Sequence, residues 1–403
     1  MKILFYATHP TQSNGYARVG NNISNYLASK ENVEVYYFGI TAYTENILGR
    51  YIHPNIRLIN VFEQSPSKNA YGDDLIVPAI QKIQPDIVFL YNDILVITRM
   101  LEQIRTIPKT FQIYTYIDLV YEYEHTQLIQ YIDEWTDKFF VFSECWKKNL
   151  CLIGVREDKM FLLKHGLDTD KIQKIDKDLS RKEIGLALDD FIVLNLNRNT
   201  HRKGIDVTIS AFLRFLKKHS CDSRIKLYLT GNKEPSSYDN LEILKVECIQ
   251  LNLDYYKVIH EHVLISTQAI MTDQIVNYLY NACDVGINTC FGEGFGLCSL
   301  EHAAVGKPQV IAGVGALRDI FQEGHCQLVE PVGKIYIPTI LDKTGGYLEI
   351  CRVEDFADAL DDYYLNKEKR YEDGKFYEEK IPKEYKWDDI LNEFYENHIK
   401  KLN

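Results

Sequence analysis

The strongest constraint on this chain is a repeated alternation of short apolar runs with helix-length amphipathic stretches. Ile3-Leu4-Phe5-Tyr6 opens the series, and Val33 to Phe38 follows a helical stretch over 21–30. Asp86 to Leu90, Phe111 to Tyr116 and Lys138 to Phe142 continue it. A short run that is apolar throughout is buried on both faces, as strands of a parallel sheet are. Connections of helix length then join each strand to a parallel neighbour. The alternation pauses over 168–190, a charged stretch with little apolar content, and restarts at Phe191 to Leu196. Lys226 to Thr230, Val263 to Ile265, Val285 to Ile287 and Gln309 to Ile311 form the second series. The expected fold class is therefore α/β, with two parallel-sheet domains of similar size, a linker near 168–190 and a cleft between them. Ligands of such sheets sit beyond the carboxyl ends of the strands, so the chemistry belongs in loops that leave strands and open helices.

Composition narrows the function classes. The 403 residues carry 46 basic and 57 acidic side chains, a net charge of −11, which argues against a general nucleic-acid binder. At 46% hydrophobic and 26% charged, the chain is neither disordered nor a coiled coil. The nine cysteines are odd in number and form no C-x-x-C pair, so neither a disulfide framework nor a zinc site is expected. Free thiols fit a reducing, cytoplasmic location. The apolar start, Ile3 to Ala7, is too short for a signal-peptide core. No run approaches the roughly 18 apolar residues of a membrane span, which leaves peripheral membrane contact open.

The most specific string is Phe291-Gly292-Glu293-Gly294-Phe295-Gly296-Leu297-Cys298-Ser299-Leu300-Glu301-His302. A strand leads into a glycine-rich loop, and a helix opens near Leu297. Glycines let backbone N–H groups approach a ligand closely, and a helix start offers unpaired N–H groups and a positive dipole end to a phosphate. Glu293 and Glu301 flank that anion position, and sugar hydroxyls would supply the donors such carboxylates need. Asn197-Arg198-Asn199-Thr200-His201-Arg202-Lys203-Gly204 follows the first strand of the second series. Arg198 and Lys203 suit a diphosphate, one by paired hydrogen bonds and the other as a point charge, with Arg202 expected to face solvent. Lys164-His165-Gly166-Leu167-Asp168 is a small turn at the domain junction. Asp168-Thr169-Asp170 could bind a divalent metal, or Asp170 could cap the next helix. In the first loop, Gly15 and Gly20 do not make the G-x-G-x-x-G dinucleotide fingerprint, which disfavours a dehydrogenase. Gly15 can still approach a phosphate or sugar.

On these residues the chain resembles family four of the glycosyltransferases, retaining enzymes of the GT-B fold. Glu293 and Glu301 meet the E-x7-E pattern, and Glu293 to Leu297 the E-G-F-G-L string. Leu279 to Val285, Gly306 to Val310, Arg198 with Lys203-Gly204, the His165 to Asp168 turn and Gly15 also look like the family. The resemblance implies two Rossmann-like domains: an acceptor-side domain over 1–170 and a donor-binding domain over 171–384. A C-terminal helix over 385–403 would cross back to the first domain. It implies that Glu301 holds the donor ribose hydroxyls. Glu293, with backbone near Phe295 and Gly296, would contact the transferred hexose. N–H groups near Leu297 and Cys298, with Arg198 and Lys203, would hold the diphosphate, and Gly15 would face it. The base would lie near 231–233 and 265–269. Many members carry a histidine after a first-domain strand. Here Tyr116-Ile117-Asp118-Leu119 takes that region, so Asp118 and His125 are the acceptor-side candidates.

The implied activity is transfer of a hexose from a nucleoside diphosphate sugar to a hydroxyl of a glycan or other acceptor. It would proceed on one face of the sugar, with no metal and no cofactor. Family frequency favours GDP-mannose over UDP-glucose, and no residue encodes the choice. The rivals are a metal-dependent transferase using Asp168 and Asp170, a phosphorylase needing pyridoxal phosphate, and a non-catalytic nucleotide-sugar-binding protein.

Overall fold

A computed structural model describes residues 1–41, 49–231, 238–266, 271–322 and 324–402. The chain divides into two compact units. The first comprises Met1–Gly166, Pro338–Gly346 and Trp387–Asn403, and the second Leu167–Ile337 and Tyr347–Lys386.

The first unit holds a seven-stranded parallel sheet. Its strands are β1 (Lys2–Thr8), β2 (Glu34–Ile40), β3 (Ile56–Asn60), β4 (Ile87–Asp93), β5 (Gln112–Asp118), β6 (Lys138–Val141) and β7 (Met160–Leu162). They lie in the order β3-β2-β1-β4-β5-β6-β7. The second unit's six strands are β8 (Phe191–Asn195), β9 (Ile225–Thr230), β10 (Val263–Ser266), β11 (Val285–Asn288), β12 (Gln309–Ala312) and β13 (Gln327–Val329). Their order is β10-β9-β8-β11-β12-β13, again parallel throughout. A ribbon of β14 (Gly333–Ile337) and β15 (Gly346–Ile350) stands apart from both sheets. Numbered from its own first strand, the second sheet reads 3-2-1-4-5-6, the doubly wound order of Rossmann-like domains. The order reverses between β8 and β11. Chains leaving those two strands diverge to opposite sides and open a crevice at their carboxyl ends. The first sheet reverses in the same way between β1 and β4.

Burial explains the strand pattern. Ile3 to Ala7 and Ile87 to Leu90 are fully buried, as both-face coverage requires. Helices cover the faces with one apolar stripe each. Ile205–Lys218 buries Ile205, Ile209, Phe212, Leu213 and Leu216, with Asp206 in its first turn and Lys217 and Lys218 in its last. That charge order opposes the helix dipole favourably at both ends. Among the described residues no helix is long and apolar enough to cross a membrane.

Two segments depart from the simplest reading of the sequence. The charged stretch 168–190 is built into the second unit rather than spanning it as a linker. Arg181 is wholly buried. It donates to the carbonyls of Ala282 (2.9 Å), Ala187 (3.0 Å) and Asp190 (2.8 Å), and to Asp284 Oδ2 at 2.8 Å. Asp284 Oδ2 also accepts from the N–H of Ile192 at 2.8 Å, so the ion pair ties the entry ends of β8 and β11 together. A guanidinium tolerates such burial because each donor meets an acceptor. The second unit is also discontinuous, because 338–346 belongs to the first.

The C-terminal segment packs with the first unit. The Phe394 ring packs tilted against Phe89 (5.8 Å) and edge-to-face on Phe140 (5.2 Å). The Tyr114 hydroxyl donates to the carbonyl of His398 at 3.0 Å. Trp387 lies flat over Gly166, where a Cβ would come within 2.5 Å of the indole.

Candidate functional site

The second unit's crevice is framed by the loop after β8 (197–204) and the loop after β11 (289–296). Backbone and hydroxyl bonds lock the two loops together. The N–H of Phe291 donates to the carbonyl of Arg202 at 2.9 Å. Thr289 Oγ1 donates to the carbonyl of Gly204 at 2.7 Å and lies 2.6 Å from Thr208 Oγ1. Gly204 has φ +58°, and a Cβ there would sit 2.3 Å from the carbonyl oxygen of Thr289. Only glycine reconciles that conformation with that approach.

Glu293 is buried where the loops meet. Its Oε2 accepts from Lys203 Nζ. Arg202 Nη1 lies 3.6 Å from Oε1 and donates to the carbonyl of Gly292 at 2.8 Å. Burial pushes the Glu293 carboxyl up, but Lys203 and Arg202 outweigh it, and the group sits below its ordinary value. It is a carboxylate at neutral pH, held by two cations.

After Glu293 the chain turns through Gly296 (φ +89°) into the helix Leu297–Ala304. The first N–H groups of that helix lack intrahelical acceptors and carry the positive end of its dipole. Leu297 and Cys298 are half-buried in that first turn, and burial pushes the Cys298 thiol up to about 11, so it is not a thiolate. Glu301, one turn on and buried, accepts from the Tyr280 hydroxyl at 2.9 Å. Phe295 is buried with its ring 6.0 Å from that of Tyr385.

The structure thus gathers Lys203, Glu293, Phe295, Gly296, Leu297, Cys298 and Glu301 on two adjacent loops and one helix. Arg198 lies in the same β8 loop and is exposed. Arg202 corrects the sequence reading: it does not face solvent but braces the Glu293 loop. Its side chain is 21% exposed. Of the base-side segments, Gly231, Ile265 and Ser266 are described, and a Cβ on Gly231 would strike the Ser266 carbonyl at 2.1 Å. The positions 232–233 and 267–269 lie outside the described residues. Asp168 is half-buried and Asp170 exposed in one turn, where the Asp168 carbonyl accepts from Ile172 N–H at 2.9 Å. Among the described residues no group of three or more His, Cys, Asp and Glu side chains gathers there or elsewhere.

The remaining candidates belong to the first unit. Gly15 is exposed at the start of the helix Gly15–Ala28, which Asn14 caps through a 2.9 Å bond from Ala17 N–H. Asp118 ends β5 and shares a hydrogen bond with Tyr16, whose phenol is pushed up by burial and by that carboxylate. Asp93, its partner in β4, accepts from Val96 N–H at 2.9 Å, and burial raises its carboxyl. His125, at φ +34°, has Nε2 2.9 Å from the carbonyl of Lys343. His165 lies among the rings of Phe142 (5.0 Å), Tyr116 (5.7 Å) and Tyr91 (6.4 Å), and burial pushes its imidazole down to about 3.

Residues 176–375, nearly the whole second unit, match the family described as glycosyl transferases group 1. That match covers just under half of the chain and lies almost wholly in its second unit. A curated relative of this glycosyltransferase domain is D-inositol 3-phosphate glycosyltransferase of Acidothermus cellulolyticus. It is 28% identical over 179 residues, 44% of this chain and 38% of the relative. The chain thus aligns with well under half the length of that relative. Solved structures match the whole architecture. Sucrose-phosphate synthase of Thermosynechococcus elongatus gives a TM-score of 0.77 at 17% identity, covering 100% of this chain and 99% of that one. Anabaena HepE in complex with UDP-glucose gives 0.73 at 16% identity, covering 98% of each. The glycosyltransferase fold is therefore GT-B in class, with two Rossmann-like units.

Proposed function

We propose that this protein is a retaining glycosyltransferase that moves a hexose from a nucleoside diphosphate sugar to an acceptor hydroxyl. The observation that carries the reading is the buried Lys203–Glu293 pair beside the free N-terminal turn of Leu297–Ala304. One crevice thereby offers a cation and helix N–H groups to a diphosphate, with carboxylates on either side for sugar hydroxyls. Glu301 takes the ribose hydroxyls and Glu293 the hexose. Lys203, Arg198 and the N–H groups of Leu297 and Cys298 take the diphosphate, and Gly15 is proposed as a further donor-binding residue.

As the anomeric C–O bond to the diphosphate breaks, negative charge grows on the leaving oxygens. Fixed cations and N–H dipoles stabilise that charge without reorganising, which is the source of electrostatic catalysis. The acceptor oxygen bonds to the anomeric carbon on the same face, and its proton passes to an oxygen of the departing diphosphate. Glu293 is spoken for by Lys203 and Arg202, which favours a binding role over that of a covalent nucleophile. Asp118 and His125 are proposed on the acceptor side, and the location is proposed as cytoplasmic.

The donor base is decided by experiment between GDP-mannose, which family frequency favours, and UDP-glucose, the donor bound by the HepE neighbour. The test incubates the protein with each donor and a panel of hydroxyl acceptors, with and without EDTA, and reads the product's anomeric configuration by NMR. Retention with activity unaffected by EDTA is expected. Inversion overturns the mechanism, loss of activity on chelation with recovery in manganese favours the Asp168/Asp170 reading, and donor binding without turnover on any acceptor favours a binding protein.

A further inference from the structure

We infer that Tyr280 is a positioning residue for the donor's ribose, acting through Glu301. The inference rests on the ribose role proposed for Glu301. Tyr280 lies in the last turn of the helix Asp273–Ala282, 21 residues from Glu301 in sequence, and is 1% exposed. Its hydroxyl donates to Glu301 Oε2 at 2.9 Å, and Glu301 is itself 3% exposed. The phenol ring stacks on His302, with centroids 5.3 Å apart and planes 22° apart, which fixes the ring from the other side. The His302 imidazole is neutral, because burial pushes it down to about 3, so it adds no competing charge beside the carboxylate.

A carboxylate that grips two vicinal hydroxyls has to stand in one rotamer before the ligand arrives. Its two oxygens together offer about four lone-pair sites. One bond from Tyr280 orients the group and leaves accepting capacity for a ribose. A hydrogen bond to a charged acceptor in a buried setting is among the stronger ones, so its loss should register in binding. The ring packing alone would be kept by phenylalanine.

The test measures, by calorimetry, the affinities of UDP and GDP and of their 2′,3′-dideoxy forms for wild type, Tyr280→Phe and Glu301→Gln. Donor KM and kcat are read alongside. Wild type should bind the tighter ribonucleotide well above its dideoxy form, and Glu301→Gln should erase that preference. Tyr280→Phe should weaken the ribonucleotide about tenfold, leave the dideoxy form within about twofold, and raise donor KM more than it lowers kcat. Equal weakening of both forms would mark a merely structural tyrosine and overturn the inference, as would unchanged binding of both. A wild type that does not distinguish the two forms removes the ribose role from Glu301, and the inference falls with it. Should Tyr280→Phe not fold, Tyr280→His keeps an N–H donor. An unaltered ribose preference together with unaltered affinity is then the supporting result, and loss of affinity for both forms the contrary one.

Discussion

The two units share one topology and treat their strand ends in opposite ways. At the reversal of the second sheet, between β8 and β11, the loops hold a buried lysine and glutamate and a half-buried arginine against one another. In the first sheet the ends of β4 and β5 instead bury rings: Tyr91 stacks on Tyr116 at 4.8 Å and 27°, and His165 sits neutral beside them. Asp93 and Asp118 stand at the tips of β4 and β5. The same crevice geometry therefore serves one unit as an electrostatic socket and the other as an apolar wall with a polar rim. A parallel sheet supplies the place, and the loop residues decide what the place is for.

That contrast breaks first at Lys203. Lys203→Ala should cost about 100–1000-fold in kcat/KM if the ammonium stabilises the leaving diphosphate. It also strands Glu293 as a buried charge, with a stability loss of roughly 3–5 kcal/mol softened by the remaining Arg202. Steady-state kinetics and a denaturant titration read the two effects separately.

Acid reads both units at once. His165 in the first and His302 in the second have native values near 3, below the roughly 6.5 of an exposed imidazole. Between those values the unfolded chain takes up protons that the native chain refuses. Stability should therefore fall as pH drops below about 6.5, by about 2 kcal/mol per imidazole at pH 5. The depressed Glu293 carboxyl acts in the same direction, in a lower pH window. Its contribution is present above the ordinary carboxylate range and is lost as pH falls from there through its lowered native value. Denaturant midpoints at pH 7 and pH 5, with His165→Phe as the comparison, check the size of the step.

Arg198→Ala should lower kcat/KM by about tenfold to 100-fold while stability stays within about 0.5 kcal/mol, because the side chain is exposed and no buried charge is left behind. An inactive but equally stable Arg198→Ala beside an inactive, destabilised Lys203→Ala would sharpen the distinction between a reaching cation and a built-in one. The smallest effect is expected in the first unit. Tyr16→Phe removes the bond to Asp118 and should cost about 1 kcal/mol of stability with donor affinity unchanged. A loss of donor affinity there would make the apolar wall part of the donor site.

Much of this contrast was legible in the residues. Central strands announce themselves as unbroken apolar runs because they are covered on both faces. Edge strands β3 and β13 do not: Ile56–Asn60 is largely half-exposed, and Gln327–Val329 is three residues long. The glycine-rich string around Glu293 and the Glu301 spacing pointed at the crevice, since backbone approach and carboxylate placement are local properties. Arg202 was misread because its direction depends on the single helical turn His201–Lys203, which swings it onto the Glu293 loop. Arg181 was hidden in a stretch that looks solvated, since two of its partners, the Ala282 carbonyl and the Asp284 carboxylate, lie far off in sequence. Tyr280 was illegible as a partner of Glu301 for the same reason: the two meet only when two helices pack side by side.

The central claim is that the second unit's cationic crevice receives the donor diphosphate. A crystal structure with UDP or GDP bound tests it most directly. The account predicts phosphate oxygens about 3 Å from Lys203 Nζ and from the N–H groups of Leu297 and Cys298, with the Lys203–Glu293 contact loosened or shared. A diphosphate bound elsewhere, with that pair undisturbed, would contradict it.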